Sequence, residues 1–437
     1  MTAARPGFDH EQRQADWLSI SEARGRILAT AEPLQPESVP LRDALGRAIA
    51  APIVARATLP PWDNSAMDGY AVRARDIAGA TPDNPVTLRV TGVVRAGGDA
   101  GQMLAPGSAI RIMTGAPVPS GADSVVRVEH TDREAYEGRV QIMSDSDAGR
   151  NVRAAGQDMT AGTTLFQAGH SITPGTIGVL AAAGLTTVEV HSSPRVALLL
   201  TGDELRRADR YDDVIGGRGV PESNGTMLAA MSREIGVEPT DLGIARDDPA
   251  DLAARIAAGA DADALITIGG ASMGDADLVK RALDTAGFTL DFWRVRMRPG
   301  SPISFGWLER GGHRQPVFGL PGNPSSAFVT FEVFVRPYLL RRSGHRNIYR
   351  RIITCTAGEA MSTPADLTYF QRVALTSTPQ GVIARLTGPQ LSGLVSGLAL
   401  ADGLAIIPPD RESIEIGEEL SVMLLDTGPA ASHTEST

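Results

Sequence analysis

The stretch Ala264-Leu-Ile-Thr-Ile-Gly-Gly-Ala-Ser-Met-Gly-Asp-Ala-Asp-Leu-Val-Lys280 runs from an unbroken apolar segment through glycines into an amphipathic pattern. It reads as a buried strand, a glycine turn and a helix beginning near Asp275. Glycines let backbone N–H groups close on a phosphate or carboxylate, and the first helical turn leaves donors carrying positive partial charge. Asp275 and Asp277 stand where such an anion would lie. A carboxylate there repels a bare anion but can hold Mg²⁺ that bridges to phosphate oxygens. Asp275 could equally do no more than cap the helix.

Around this unit the same alternation recurs. Apolar strand-like runs at 196–200, 264–268 and 316–319 alternate with helical stretches at 225–235, 249–258, 276–286 and 325–340. Strands apolar throughout and separated by helices imply a parallel sheet covered on both faces, which binds ligands at the carboxyl ends of its strands. Three loops leave those ends: Thr201-Gly-Asp-Glu204, the segment 269–277, and Leu320-Pro-Gly-Asn-Pro324. They should converge on one crevice.

Outside this region the patterning differs. Residues 16–31 read as a helix and 41–49 as a second; 60–153 read as strands and turns, with strands at 86–94, 108–113 and 123–129. A helix at 174–183 and a strand at 187–190 follow, and after 346 short strands at 352–358, 369–376, 382–386, 403–407 and 419–424 suit a small β-barrel. The expected class is α/β plus β, a multidomain elongated chain. Its parts are an N-terminal helical and linker domain (12–58 and 151–193), a β-rich lobe (59–150), a doubly wound α/β domain (194–342), a C-terminal β-barrel (347–426) and a disordered tail (427–437).

A chain of 437 residues with 42% hydrophobic content has material for about three packed cores. Its formal net charge of -10 argues against non-specific binding to nucleic acid or to an anionic membrane. No window approaches the length of a membrane span, and the first ten residues lack an apolar h-region. With one cysteine, Cys355, and no Cys/His set at zinc spacing, a cytoplasmic location is expected.

Several loops carry candidate chemistry. Asp203 and Glu204 sit just beyond a buried strand, where they could ligate metal or act as acid/base groups, although Asp203 could also cap a turn. Asn323 and Pro324 fit the N-cap and first position of a helix, with Ser325 and Ser326 adding hydroxyls. The run Trp293-Arg-Val-Arg-Met-Arg298 places Arg294, Arg296 and Arg298 on one face of an expected strand, beside a Pro-Gly turn. Asp68 and Thr114 stand in turn chemistry, which is usually structural. There is no Gly-x4-Gly-Lys-Ser/Thr, no Gly-x-Gly-x-x-Gly after the first strand and no serine in a nucleophile elbow.

Taken together, Ser65-Ala-Met-Asp-Gly-Tyr-Ala71, Arg111-Ile-Met-Thr-Gly-Ala-Pro117, Gly121-Ala-Asp-Ser-Val-Val126, Thr201-Gly-Asp-Glu-Leu205, Gly269-Gly-Ala-Ser-Met-Gly274 and Leu320-Pro-Gly-Asn-Pro324 closely resemble the molybdopterin molybdenumtransferase family (MoeA and the E domain of gephyrin). The resemblance implies an elongated four-part homodimer with its active site between subunits. It implies a cytoplasmic enzyme that takes adenylylated molybdopterin and molybdate, with Mg²⁺, and releases AMP and molybdenum cofactor. The molybdopterin adenylyltransferase and acceptor molybdoenzymes would be further partners.

By motif match, Asp68, Thr114 and Asp158 (in Gly156-Gln-Asp158) would come from the β lobe region, and Glu204, Asp248 and Asp277 from the α/β domain, as catalytic residues. Gly269, Gly270, Ser272, Gly274, Arg298, Ser301, Pro321, Gly322, Asn323, Arg372 and, more loosely, Ser396 would bind substrate; Glu204, Asp275 and Asp277 would hold metal. Two departures stand out. Ser301 in Arg298-Pro-Gly-Ser301-Pro replaces a lysine common in the family, and Glu222 in Pro221-Glu-Ser-Asn224 stands where an aspartate is usual. The rival expectations are a non-catalytic protein that binds or scaffolds the pterin cofactor, which Ser301 supports, and a nucleotide pyrophosphohydrolase on the same fold.

Overall fold

The computed structural model describes residues 17–101, 103–269, 278–310, 313–364 and 366–425. The chain divides into two compact units, one comprising Pro52–Gln167 and Gly178–Thr186, the other Met1–Ala51, Ala168–Ile177 and Thr187–Thr437.

The smaller unit is built on a five-stranded sheet in the order Ser124–Arg127, Gly69–Val72, Ser108–Ile112, Val86–Val94, Arg139–Ile142. Only the pairing of Val86–Val94 with Ser108–Ile112 is parallel. Every residue of Gly69–Val72 is buried, because the two-residue period sends Tyr70 and Val72 into one apolar cluster and Ala71 into another on the opposite face. Gly69 is obligatory: a Cβ there would lie 1.9 Å from the Val126 carbonyl oxygen.

The larger unit contains a six-stranded sheet in the order Pro239–Ala245, Val196–Thr201, Ala264–Ile268, His313–Leu320, Ser304–Arg310, Phe288–Trp293. The first four strands are mutually parallel, and Ser304–Arg310 runs antiparallel to both its neighbours, His313–Leu320 and Phe288–Trp293. Val196, Leu198 and Leu200 face one apolar cluster with the helix Asn224–Glu234, while Ala197 and Leu199 face another with Pro249–Ala258 and Leu278–Thr285. Both faces are covered, as the apolar runs predict. A five-stranded barrel follows, closed because Thr368–Thr378 pairs with both Gly381–Leu386 and Gly403–Ile407 while Ile352–Ala357 and Glu419–Leu424 complete the circuit.

The N-terminal helix is shorter than its periodicity implies, Ile20–Leu28, because Ser19 and Glu22 close a capping box that fixes its start. The second expected helix does not form. Only Leu41–Asp43 makes a 3₁₀ turn, and Gly46 at φ 77° ends any continuation. The stretch 293–298 is likewise not one strand: Phe288–Trp293 stops, Arg294 adopts φ 85°, and Met297–Arg298 pairs instead with the barrel strand Thr368–Thr378. Thus the three arginines do not form one strand face. The expected helix at 325–340 runs 324–342 with a π-turn at Phe331–Val335. The start of the helix near Asp275 lies outside the described residues. The strands at 239–245, 288–293 and 304–310 are additions to the expected set. The strands 239–245 and 288–293 lie at the two edges of the sheet and have mixed burial, which leaves no continuous apolar run; 304–310 is buried from Ser304 to Leu308, but Ser304 and Gly306 interrupt its apolar pattern.

Candidate active site

The parallel register sets Leu200 against Ile268 and Ile268 against Leu320, so three of the proposed site loops leave neighbouring strand ends. Gly269 begins the second loop at φ 89°, with its N–H donated to the Leu320 carbonyl; a Cβ there would meet the Thr201 carbonyl and hydroxyl oxygens at 2.9 Å each. Gly322 packs on Gly269, and its carbonyl accepts a 2.6 Å hydrogen bond from the buried amide of Asn224. Asn224, in the motif that departs from the family pattern, therefore holds the Pro321-Gly-Asn323 loop. Gly225 beside it permits that approach, since a Cβ would fall 2.8 Å from a Leu200 methyl.

Beside the loop that follows Leu320 lies a cleft of about 1020 Å³ shared by the α/β sheet and the barrel of the same unit; Glu204 and Gly269 do not line it. Arg298, Ser301, Pro321 and Asn323 line it together. Arg298 is exposed and is placed there by the pairing of Met297–Arg298 with Thr368 and Tyr369. Ser301 is not a free hydroxyl, because its Oγ donates to the Met297 carbonyl and closes the Pro-Gly turn. Asn323 heads the helix Pro324–Thr330 but makes no side-chain capping bond; its amide donates instead to Ser392 Oγ at 3.2 Å. The side chain is thus engaged across the cleft rather than spent on the helix end.

Two expected binding residues are placed differently. Arg372 is 2% exposed and does not line the cleft: its guanidinium bonds Ser325 Oγ and donates to the Pro389 carbonyl at 2.6 Å, tying the 389–394 loop to the helix N-terminus. Burial pulls its guanidinium below the ordinary arginine value. Ser396 is exposed at the start of Ser396–Ala399 and does not line the cleft either. Sequence reasoning missed Trp17, Thr363, Tyr369, Gln371 and the 389–393 loop, all of which line the cleft. None of them carried a signal of its own: Tyr369 to Val373 are buried without a break, so nothing in the sequence sets Gln371 apart from its strand neighbours.

Of the expected acidic residues, Asp203 and Glu204 are exposed at the sheet edge, and Asp248 caps Pro249–Ala258 by accepting from Asp251 N–H at 2.9 Å. Gly270, Ser272, Gly274, Asp275 and Asp277 lie outside the described residues. Among the described residues no three metal-ligating side chains cluster. Glu204 is the one of these acidic residues whose oxygens stand open to solvent beside the loop. Its carboxylate bonds no described side chain and folds over Gly202, where a Cβ would come within 2.6 Å of Oε1.

In the smaller unit, the pairing of Gly69 with Ile112 brings Asp68 and Thr114 together. Thr114 donates to one Asp68 carboxylate oxygen from its N–H at 2.6 Å and its hydroxyl at 2.8 Å, and these bonds hold the carboxyl below its usual range. Asp158 lies in a separate depression of this unit with Pro60, Asn64, Arg153 and Gln157. Asn64 is 9% exposed, and its buried Oδ1 has no partner among the described residues.

Three family models match: MoeA N-terminal region (domain I and II) over 18–184, probable molybdopterin binding domain over 197–341, and MoeA C-terminal region (domain IV) over 354–425. The chain is 38% identical over 410 residues to molybdopterin molybdenumtransferase 2 of Mycobacterium tuberculosis, covering 92% of this chain and 98% of that one. It is 31% identical over 417 residues to molybdopterin molybdenumtransferase of Staphylococcus aureus, covering 94% and 97%. Among solved structures it is similar to the molybdopterin biosynthesis moeA protein of Pyrococcus horikoshii OT3, with a TM-score of 0.78 and 27% identity over 94% of this chain and 100% of that one.

Proposed function

The chain belongs to the molybdopterin molybdenumtransferase family, and from that premise we propose that it inserts molybdate into adenylylated molybdopterin, releasing AMP, in molybdenum cofactor biosynthesis. The observation that carries this reading is the cleft in which Arg298, Pro321 and Asn323 converge where the parallel sheet meets the barrel. Arg298 supplies an exposed cation for a phosphate oxygen. Asn323 positions the same ligand and the backbone at Gly269 and Gly322 fixes the loop that carries Asn323, while the Asp68–Thr114 pair keeps one carboxylate ionised and fixed in orientation. Glu204, with Asp275 and Asp277, would hold Mg²⁺, which when bound supplies charge neutralisation at the phosphoanhydride. The reading includes a homodimer in the cytoplasm, in which Asp68, Thr114 and Asp158 of one copy meet the crevice of the other. The adenylyltransferase that makes the substrate and the acceptor molybdoenzymes complete its partners.

The test is AMP release from adenylylated molybdopterin by the purified protein with Mg²⁺, with and without molybdate. Molybdate-dependent release that activates an apo-molybdoenzyme is expected; release indifferent to molybdate would indicate a pyrophosphohydrolase. A second reading, a protein that binds the pterin cofactor without turnover, is favoured by one observation. Ser301 brings no charge to the cleft, and its hydroxyl is already bonded to Met297.

A further inference from the structure

Two buried polar side-chain atoms at the cleft have no partner among the described residues. Thr363 is 5% exposed and Gln371 is 7% exposed, and the buried Thr363 Oγ1 and Gln371 Oε1 accept or donate no hydrogen bond among the described residues. Both residues line the cleft. Strand parity explains why the protein cannot satisfy them. Gln371 shares a face with Tyr369 and Val373, and Thr363 directly follows the strand Met361–Ser362; Tyr369, Val373 and Met361 all belong to the apolar core of the barrel. Hydroxyl and amide therefore sit at the barrel mouth, with hydrocarbon behind them and the cleft in front. The Thr363 backbone N–H is already bonded to the Glu412 carbonyl, so only the hydroxyl remains to be met. A buried polar group left unmet costs free energy, so two lining one cleft mark a place for a ligand's own polar atoms.

The chemistry of the pair narrows the ligand. Both groups are neutral. An amide offers an acceptor and a donor side by side, and a hydroxyl can serve as either. An unpaired amide carbonyl repels an oxyanion but accepts readily from a ring or exocyclic N–H. Tyr369, Phe370 and Leu367 line the same cleft and suit a flat ring. Arg298 pairs with Tyr369, two residues from Gln371, and two strand residues span roughly 7 Å. One molecule can reach both the cation and the amide.

We propose that Gln371 and Thr363 bind the adjacent donor and acceptor atoms on the edge of a nitrogen heterocycle, and so act as specificity-determining residues for the ring of the substrate. This rests on the reading of the substrate given above, whose pterin and adenine both carry such an edge. Titration calorimetry on the full chain with AMP, 6-hydroxymethylpterin and molybdate tests it, comparing wild type with Gln371→Leu and the near-isosteric Thr363→Val, each verified as folded by its melting temperature. The variants should weaken one heterocycle by about tenfold, the effect of one lost hydrogen bond in a buried site, and leave molybdate unchanged. Which heterocycle weakens identifies the ring. Unchanged affinity for both rings in either folded variant, or an equal loss for molybdate, would overturn the proposal. If the wild type binds neither ring, the substrate reading itself fails, a result distinct from a ring that binds all variants alike.

Discussion

Thr114 satisfies a single oxygen of Asp68 twice, once from its backbone N–H at 2.6 Å and once from its hydroxyl at 2.8 Å. The residues are 46 positions apart and meet because the strands that follow and precede them are paired. A carboxylate receiving two donors is favoured over its neutral form, so Asp68 titrates below the usual aspartate range. The sign follows: a depressed folded value stabilises the fold above the unfolded value, and that contribution is lost as pH falls through the folded one. Because Asp68 is exposed, its larger consequence is for charge at the site.

Asp68→Asn should therefore lower molybdate-dependent AMP release by about tenfold or more, the loss of one charge-assisted contact. Its melting temperature should scarcely move, since an exposed substitution typically changes stability by less than about 0.5 kcal/mol. Thr114→Ala should raise the Asp68 value, read by carbon-detected NMR titration. An unchanged titration would mean that the hydroxyl bond contributes nothing to the charge state.

Much of the fold was legible because burial on both faces leaves an unmistakable trace. Val196–Thr201 and Ala264–Ile268 are apolar at every residue but the threonines, and both lie inside the parallel sheet. Strands with one polar face or an edge position, such as Phe288–Trp293, leave a weaker trace and were missed. In the site, the motif loops identified Arg298, Pro321 and Asn323, which line one cleft. The barrel's contribution was not legible. Gln371 looks like an ordinary strand residue until closure of the barrel gives it a hydrocarbon floor, and Arg372, the charged residue beside it, turns out to brace a loop.

Ser301→Lys should tighten binding of a phosphate ligand. An ammonium at this position would join Arg298 on the cleft wall, and a charge-assisted contact is worth roughly tenfold in affinity. The gain should shrink with added salt, because the cleft is open to screening ions. AMP titrations at two ionic strengths check it. Equal affinity for wild type and variant would show that the lysine common in the family has no role in phosphate binding here.

His345 gives the larger unit a pH-dependent stability. It is 6% exposed, its Nδ1 lies 2.8 Å from Ser171 Oγ, and burial, helped by Arg336, Arg47 and His191, pulls its value down to about 4. Between about 4 and 6.5 the unfolded chain binds a proton that the folded one refuses, so stability rises with pH across that window. It is complete above it. The shift corresponds to roughly 3 kcal/mol. His345→Gln should flatten the dependence of unfolding free energy on pH over this window; a slope identical to wild type would place the titrating group elsewhere.

Glu332 and Arg350 form the most deeply buried ion pair described, with side chains 1% and 5% exposed and two parallel bonds of 2.9 and 3.0 Å. Arg350 also reaches Glu234 at 2.8 Å, so it links the π-turn Phe331–Val335 to the end of the helix Asn224–Glu234. Its guanidinium is pushed above the ordinary value by Glu332 and Glu234, against the pull of burial. Removing Arg350 leaves the buried Glu332 carboxylate with only the looser Arg336 contact at 3.8 Å, whereas replacing both partners removes the desolvation cost with the attraction. Arg350→Met should therefore cost about 3 to 5 kcal/mol in chemical denaturation, and adding Glu332→Gln should recover most of that loss. The recovery is the decisive part: if the double variant is as unstable as the single one, the arginine acts through packing and through Glu234 rather than by neutralising Glu332.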